Sequence, residues 1–257
     1  MEALLGPDAA GILIFAFCVA LAGGMVKGVV GFAMPMVLIS GLSSVVPPEI
    51  ALAGLILPTL VTNGFQALRQ GVGAAIGSLV KYRLFLISGL VFMVVSAQLV
   101  VWLSQAAMLL IIGVPIVIYA GFALSGRPLR LPPQPGRRVE AAIGALAGFF
   151  GGISGVWGPP TVVMLTALNT EKTEQMRVQG VIYGMGAVVL VGAHMFSGVL
   201  NTATLPLSLA LVIPAVLGLW LGFAIQDRVD QQVFRRLTLA VLVIAGLNLV
   251  RRGLLAL

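Results

Sequence analysis

Charged side chains are scarce in this sequence of 257 residues. Lysine, arginine, aspartate and glutamate together make up 9% of it, whereas soluble globular domains contain about 25%. So few polar side chains cannot cover the surface of a soluble protein of this size, and soluble enzymes, coiled coils and disordered chains are therefore excluded. Hydrophobic residues make up 60% of the chain, which predicts a polytopic, all-α membrane protein in the lipid bilayer.

Cysteine and histidine each occur once, as Cys18 and His194. A single cysteine excludes an intrachain disulfide, and zinc and iron–sulfur sites need several cysteine or histidine ligands. We therefore predict no metal and no cofactor. The 15 basic residues outnumber the 8 acidic ones, but they are spread over short loops without interleaved aromatics, so we predict no nucleic-acid partner.

Charge-free hydrophobic runs predict ten membrane elements. A full crossing needs ~20 apolar residues. The predicted elements lie at about 10–31, 33–46, 50–68, 84–103, 106–125, 139–157, 159–169, 178–198, 206–225 and 233–250. The second and seventh are too short to cross comfortably, which indicates half-helices or re-entrant segments.

Basic residues mark alternate loops along the chain. Lysine and arginine occur around residues 69–83, 127–138, 172–177 and 228–236, whereas the loops near Pro47, Ser104 and Asn201 lack them. The positive-inside rule then places the basic loops in the cytoplasm and the N-terminus outside. Arg251 and Arg252 violate this pattern at the very end of the chain.

A basic, proline-rich segment at 126–138 divides the chain into an N-terminal repeat (1–125) and a C-terminal repeat (139–257), with a cytoplasmic linker between them. Each repeat has about five membrane elements. Gly23–Gly31 is similar to Gly151–Gly158, and a proline follows each block. An odd number of elements inverts the second repeat, and inverted repeats with Gly/Pro-broken segments indicate a secondary transporter.

Close helix packing is the alternative role for the glycines. The pairs Gly148/Gly152 and Gly180/Gly184 have the small-xxx-small spacing that lets membrane helices approach each other. We assign these pairs to packing. Packing explains the matched glycine and proline breaks less well than the transporter interpretation does.

Three segments resemble the TauE/SafE family of sulfite and organosulfonate exporters: GGMVKGVVGFAMP (Gly23–Pro35), GGISGVWGPP (Gly151–Pro160) and TEKTEQMRVQGVIYG (Thr170–Gly184). The resemblance implies no enzymatic activity. It implies transport of a small sulfur-containing anion, such as sulfite, sulfoacetate or another sulfonate, or of a carboxylate relative, across the bacterial inner membrane. The direction of transport and the oligomeric state, including a homodimer, stay open.

Lys27 is the most prominent candidate site residue, because no other charge occurs between Asp8 and Glu49. An ammonium at membrane depth costs ~2.5–3.5 kcal/mol on insertion scales, a cost that an anionic substrate would offset. The alternative is a lysine that snorkels to the interface. Unwound glycines beside two helix N-termini, which carry positive partial charge, complete a predicted anion site at the midplane. These glycines are Gly28, Gly31, Gly155 and Gly158.

Asn63, Gln66 and His194 are polar residues deep in predicted spans. Their side chains can donate hydrogen bonds to a sulfite or sulfonate oxygen, or can join helices to one another. Gln66 and His194 are separated by almost the repeat offset, which indicates symmetry mates. His194 is also a candidate to couple a proton, because imidazole titrates near neutral pH.

Trp157 and Arg177 flank the predicted site. Trp157 caps the pocket or anchors the chain at the interface. Arg177 guides anions from the cytoplasm or marks the positive-inside boundary.

A rhomboid-like intramembrane serine protease is the alternative function. Ser154 lies in a G-x-S-G sequence, and an Ala-His pair at His194 follows forty residues later. A Ser–His dyad needs only one base within hydrogen-bond reach. Against this function, the chain lacks a second histidine, ten elements exceed the rhomboid plan, and Ser154 aligns with Lys27 in the repeat. We keep Ser154 as a possible substrate donor.

Overall fold

The computed structural model describes residues 9–97, 104–126, 136–154 and 158–257. Within these ranges the chain forms eleven helices and no β-strand. The helices are α1 (Ala9–Val30), α2 (Met34–Leu42), α3 (Pro48–Leu68), α4 (Val72–Lys81), α5 (Arg83–Ala97), α6 (Gln105–Leu124), α7 (Arg137–Ser154), α8 (Gly158–Ala167), α9 (Lys172–Phe196), α10 (Leu205–Arg228) and α11 (Gln231–Leu255).

The all-α fold is confirmed, and each of the ten predicted elements corresponds to one helix of the described part. α2 has 9 residues and α8 has 10. At 1.5 Å per residue, both are roughly half as long as a bilayer core is thick, as expected for half-helices. The second break, with Gly155 and Trp157, lies outside the described residues, as does the linker from 127 to 135. The inverted relation of the repeats stays a prediction.

α4 occupies a segment that the charges of Arg69, Lys81 and Arg83 led us to expect as a loop. The predicted loop is wrong, because a short row of apolar side chains is sufficient to form a helix in this segment. Val72, Ile76 and Val80 recur every four residues and are all more than half exposed, which gives α4 one continuous apolar face. The helix is bent by 69° from α5. α9 likewise begins earlier than predicted, so that Arg177 lies within it.

Five of the described helices are long and apolar enough to cross a membrane: α1, α3, α9, α10 and α11. A sixth span results if the bent pair of α4 and α5 counts as one. The chain is therefore a multi-pass membrane protein. The orientation with the N-terminus outside stays a prediction.

The chain divides into two compact units. The first unit comprises Met1–Ala75 and Met176–Asp230, and the second comprises Ile76–Gln175 and Gln231–Leu257. Each unit contains helices from both predicted repeats. These units are defined by packing, whereas the division at 126–138 is a prediction about sequence repeats that the units do not test.

α1 crosses α10 in the first unit with their backbones in direct contact. A Cβ added at Gly28 would lie 2.7 Å from the Cα of Gly222 and would overlap the carbonyl oxygen of Leu219. Gly24 meets the backbone of Ala215 in the same way. Beside this crossing, apolar side chains of α1, α2, α3 and α10 form a buried core. Glycine is needed at the crossing because every larger residue would push the helices apart.

α7 crosses α5 in the second unit in a similar way. A Cβ added at Gly148 would lie 2.7 Å from the Cα of Gly89, and one at Gly144 would lie 2.7 Å from the Cα of Phe85. In the first unit, Gly180 of α9 packs against the backbone of α3 at Ala67. The predicted packing role is therefore confirmed for Gly148 and Gly180, whereas a Cβ at Gly184 would make only an ordinary contact, 3.7 Å from Cβ of Asn63.

Candidate anion-binding site

The predicted break between α1 and α2 is present in the first unit. Gly31 and Ala33 have positive φ values of 88° and 75°. Pro35 lies in the first turn of α2, where its missing N–H leaves no intrahelical hydrogen bond unmade. Gly31 also faces the Gln179 side chain so closely that a Cβ would overlap it. The break therefore depends on glycine for both its backbone angles and its packing.

Two buried glutamines bind the carbonyl groups at the end of α1. Gln66 Nε2 of α3 donates to the carbonyl oxygen of Gly31 at 3.0 Å and to that of Met176 at 2.8 Å. Gln179 of α9, with its amide oriented to satisfy both ends, donates to the carbonyl oxygens of Val30 (3.2 Å) and Gly31 (3.1 Å). Because these carbonyls already have partners, the break is held in place by α3 and α9.

Lys27 lies one turn before this break and is only 2% exposed. Its Nζ donates a hydrogen bond to Oδ1 of Asn63 on α3. Within the described ranges no carboxylate pairs with Lys27, and no aspartate or glutamate is buried. The burial argues against snorkelling, because the Lys27 side chain is almost inaccessible to solvent. A buried cation without a counter-ion is costly unless an anion joins it.

Two unused hydrogen-bond donors lie on α3, the helix that Lys27 contacts. Asn63 Nδ2 and Thr59 Oγ1 are buried and have no partner. Thr59 and Asn63 are one turn apart on α3, where side chains at i and i+4 are neighbours. An ammonium has three N–H groups, and Lys27 uses one of them on Asn63. One buried acceptor nearby on α3, Gln66 Oε1, also lacks a partner, but the unused donors outnumber it, which is the composition that a small oxyanion complements.

The protein-family model described as "Sulfite exporter TauE/SafE" matches residues 16–249. The chain belongs to this family. The match covers nearly the whole sequence, so the protein is a membrane transporter and not an enzyme, and the protease interpretation of Ser154 and His194 is set aside. Comparisons with curated proteins and with solved structures give no match.

The structure of this TauE/SafE protein brings some of the predicted site residues together. Lys27 contacts Asn63, and Gln66 contacts Gly31. Gly28 lies against α10 at the glycine crossing and not beside a polar group. The candidate site therefore consists of one face of α3 and the end of α1.

Other predicted residues lie elsewhere. His194 is in the last turn of α9, where its Nδ1 lies 3.4 Å from Ser197 Oγ. It follows Met176, the partner of Gln66, by 18 residues (194 − 176), or about 27 Å along the helix. Arg177 donates to Gln70 Oε1, just beyond α3. Ser154 ends α7, and Gly158 begins α8, both in the second unit.

Thr59 and Gln179 are site residues that our sequence analysis did not single out. Thr59 precedes Asn63 by four positions in an otherwise apolar segment, and this spacing could have identified it. Gln179 lies within the tract that resembles the family, Thr170–Gly184. An uncharged amide in a predicted span was a usable indication of an interhelical contact.

Proposed function

We propose that this TauE/SafE protein transports a small sulfur-containing oxyanion, such as sulfite, sulfoacetate or another sulfonate, and binds it at Lys27 in the first unit. The proposal rests on the buried Lys27 ammonium, which has a neutral amide as its partner and no carboxylate among the described residues. Asn63 Nδ2 and Thr59 Oγ1 are the other donors available to the anion. The oxygens of a sulfite or sulfonate group can accept hydrogen bonds from all three groups.

Charge balance supports an anion over a neutral ligand. Burying an ammonium is unfavourable, and an arriving anion replaces the lost hydration with a charge-assisted hydrogen bond. Such a bond contributes about 1.5–3 kcal/mol. One cation with neutral donors binds an anion without holding it as tightly as several cations would, which suits a site that must also release its ligand.

Three further features remain part of the proposal. The sequence repeat predicts a second Gly/Pro break at Gly155–Pro160, and its part in anion binding stays a prediction. A proton coupled through His194 and assembly as a homodimer are also predictions from the sequence. None of them is needed for anion binding at Lys27.

Substitution of Lys27 tests the proposed site. In Lys27→Ala we expect sulfite affinity to fall roughly ten- to a hundredfold, because one charge-assisted hydrogen bond is lost. Folding should change little, because the variant removes a buried charge. Lys27→Arg should also impair transport, because a planar guanidinium does not replace a compact ammonium. The measurements are anion binding to purified protein and uptake into proteoliposomes.

Lys81→Ala is the matched control, because it removes the same side chain at a position that is 57% exposed. It should leave sulfite binding unchanged. Equal affinities for Lys27→Ala, Lys81→Ala and the wild type, with normal expression, would exclude Lys27 from the anion site.

A further inference from the structure

The connection between α8 and α9 is attached to the start of α11 in the second unit. Gln231 Nε2 donates to the carbonyl oxygen of Thr170 at 3.0 Å, and its Oε1 accepts from the backbone N–H of Lys172 at 2.8 Å. One turn further along α11, Arg235 Nη1 donates to Asn169 Oδ1 at 3.3 Å. These three contacts fix the position of Arg235 beside the segment that follows α8.

Arg235 and Thr238 each have a buried donor that no group satisfies. Arg235 Nη2 and Thr238 Oγ1 have no hydrogen-bond partner, and Thr238 is 0% exposed. The two residues are three positions apart on α11 and therefore lie on the same face of the helix. A threonine in a helix usually donates to a carbonyl of the preceding turn, so the unpartnered Thr238 hydroxyl needs another explanation.

A purely structural role explains only one of the two terminal nitrogens of the Arg235 guanidinium, Nη1. Its Nη1 joins α11 to the segment that follows α8, but the partner is a neutral amide, and among the described residues no carboxylate pairs with Arg235. The charge is thus not neutralised, and Nη2 still lacks an acceptor. An acceptor that also carries negative charge would satisfy the guanidinium and the Thr238 hydroxyl together.

We propose that Arg235 and Thr238 form a second binding site for a small oxyanion, in the second unit. The planar guanidinium and the adjacent hydroxyl suit an anionic group with two or three oxygens, as in sulfate or phosphate. A free anion and the phosphate of a lipid headgroup present the same chemistry to this site. The site does not depend on the proposed role of Lys27, which lies in the first unit.

Sulfate binding to purified protein tests the second site. Radiolabelled sulfate is titrated in lipid-free detergent against the wild type and Lys27→Ala, each with and without Arg235→Gln. In both backgrounds Arg235→Gln should weaken the site about tenfold or more, because it removes the charged partner. Arg236→Gln is the matched control: it removes the same charge from an exposed neighbour and should leave the binding curve unchanged.

Thr238→Val is the second variant, because it keeps the shape of the side chain and leaves Arg235 and its contact with Asn169 intact. We expect sulfate affinity about threefold to tenfold lower, which corresponds to one lost hydrogen bond. Thr238→Val also keeps the test decisive if Arg235→Gln fails to fold. Unchanged sulfate binding in Thr238→Val, or in a folded Arg235→Gln, would overturn the proposal and leave Arg235 as a connection between helices.

The two sources of the oxyanion are separated by a parallel titration with phosphatidylglycerol, measured as a shift in Tm. If sulfate alone raises Tm through Arg235, the ligand is a free anion. If phosphatidylglycerol raises Tm in the wild type and not in Arg235→Gln, the ligand is a lipid headgroup. If neither ligand raises Tm in the wild type, the proposal is wrong.

Discussion

The α1–α10 crossing of the first unit and the α7–α5 crossing of the second unit bring backbones equally close but enclose different chemistry. Gly28 and Gly148 each lie so near a glycine of the other helix that an added Cβ would be 2.7 Å from its Cα. Next to Gly28, however, is the buried Lys27, whereas the charges of α7 are in its first turn. A glycine-mediated helix crossing therefore lies beside a candidate anion site in the first unit and serves as a helix contact in the second.

Part-buried hydroxyl groups and buried amides find their partners at different distances along the chain. In the second unit, Ser88 donates to the carbonyl oxygen of Leu84 on its own helix at 2.7 Å. In the first unit, the long amides of Asn63, Gln66 and Gln179 bond to atoms of other elements. Hydroxyl groups can satisfy themselves locally, but these buried ammonium and amide groups take their partners from across the fold. Gln231 of the second unit does the same beside Arg235, so longer-range contacts accompany both proposed sites.

Alanine substitutions at the two crossings should have the largest effect of the tests considered. Gly28→Ala and Gly148→Ala should each destabilise the fold by about 1–3 kcal/mol or more, because the new methyl group overlaps a facing backbone. Only Gly28→Ala should also weaken anion binding, because it moves the helix that carries Lys27. The measurements are Tm in detergent and sulfite affinity.

Gly64→Ala is the control for both crossings. A Cβ at Gly64 meets nothing within 4 Å, so the substitution should be neutral or stabilising by up to about 1 kcal/mol. Equal Tm values for all three variants would mean that the crossings do not depend on glycine. Equal loss of anion binding in Gly28→Ala and Gly148→Ala would mean that the anion site does not depend specifically on the α1–α10 crossing.

Asn63→Asp sharpens the contrast by giving the first unit the carboxylate that Lys27 lacks. The substitution preserves the shape of the side chain but removes the Nδ2 donor. The new carboxylate pairs with Lys27 and so competes with the substrate. We expect sulfite affinity to fall about tenfold or more without loss of Tm. Tighter sulfite binding in Asn63→Asp than in the wild type would contradict an anion site at Lys27.

Gln179→Leu tests whether the break in α1 needs its longer-range amide contacts. Loss of the bonds to Val30 and Gly31 leaves a buried carbonyl with fewer partners, and we expect destabilisation of about 1–3 kcal/mol. The counterpart in the second unit, Ser88→Ala, loses bonds within one helix and should change stability by less than about 1 kcal/mol. Denaturation curves give the free energy of unfolding of both variants. A larger loss of stability in Ser88→Ala than in Gln179→Leu would contradict the prediction.

Ser154→Ala should have the smallest effect. Its hydroxyl is at most one donor among several, so transport should remain largely intact. Uptake into proteoliposomes measures this. If Ser154→Ala abolished cleavage of a model transmembrane substrate by this protein, the transporter assignment would fail.

The ten predicted elements were found because charge-free apolar runs are long and uninterrupted, whichever neighbours they later acquire. α4 was missed because its apolar stripe of Val72, Ile76 and Val80 is short and lies among basic residues. Lys27 was recognisable as a single charge in an apolar segment. Thr59 and Gln179 gave only the weaker indications of spacing and of an amide within a span, because the partner of an uncharged polar residue depends on the helix against which it packs.

The sequence by itself determined that this protein is helical, multi-pass and a member of a transporter family, because hydropathy and the Gly/Pro breaks are local properties of the chain. Only the tertiary structure decided that Lys27 is buried against Asn63, that Gln66 and Gln179 hold the end of α1, and that His194 lies elsewhere. The contacts of Lys27, Gln66 and Gln179 join residues 35 to 149 positions apart (66 − 31 and 179 − 30). Such partners are selected by which helices the glycines allow to approach each other, a choice that no short segment of sequence contains.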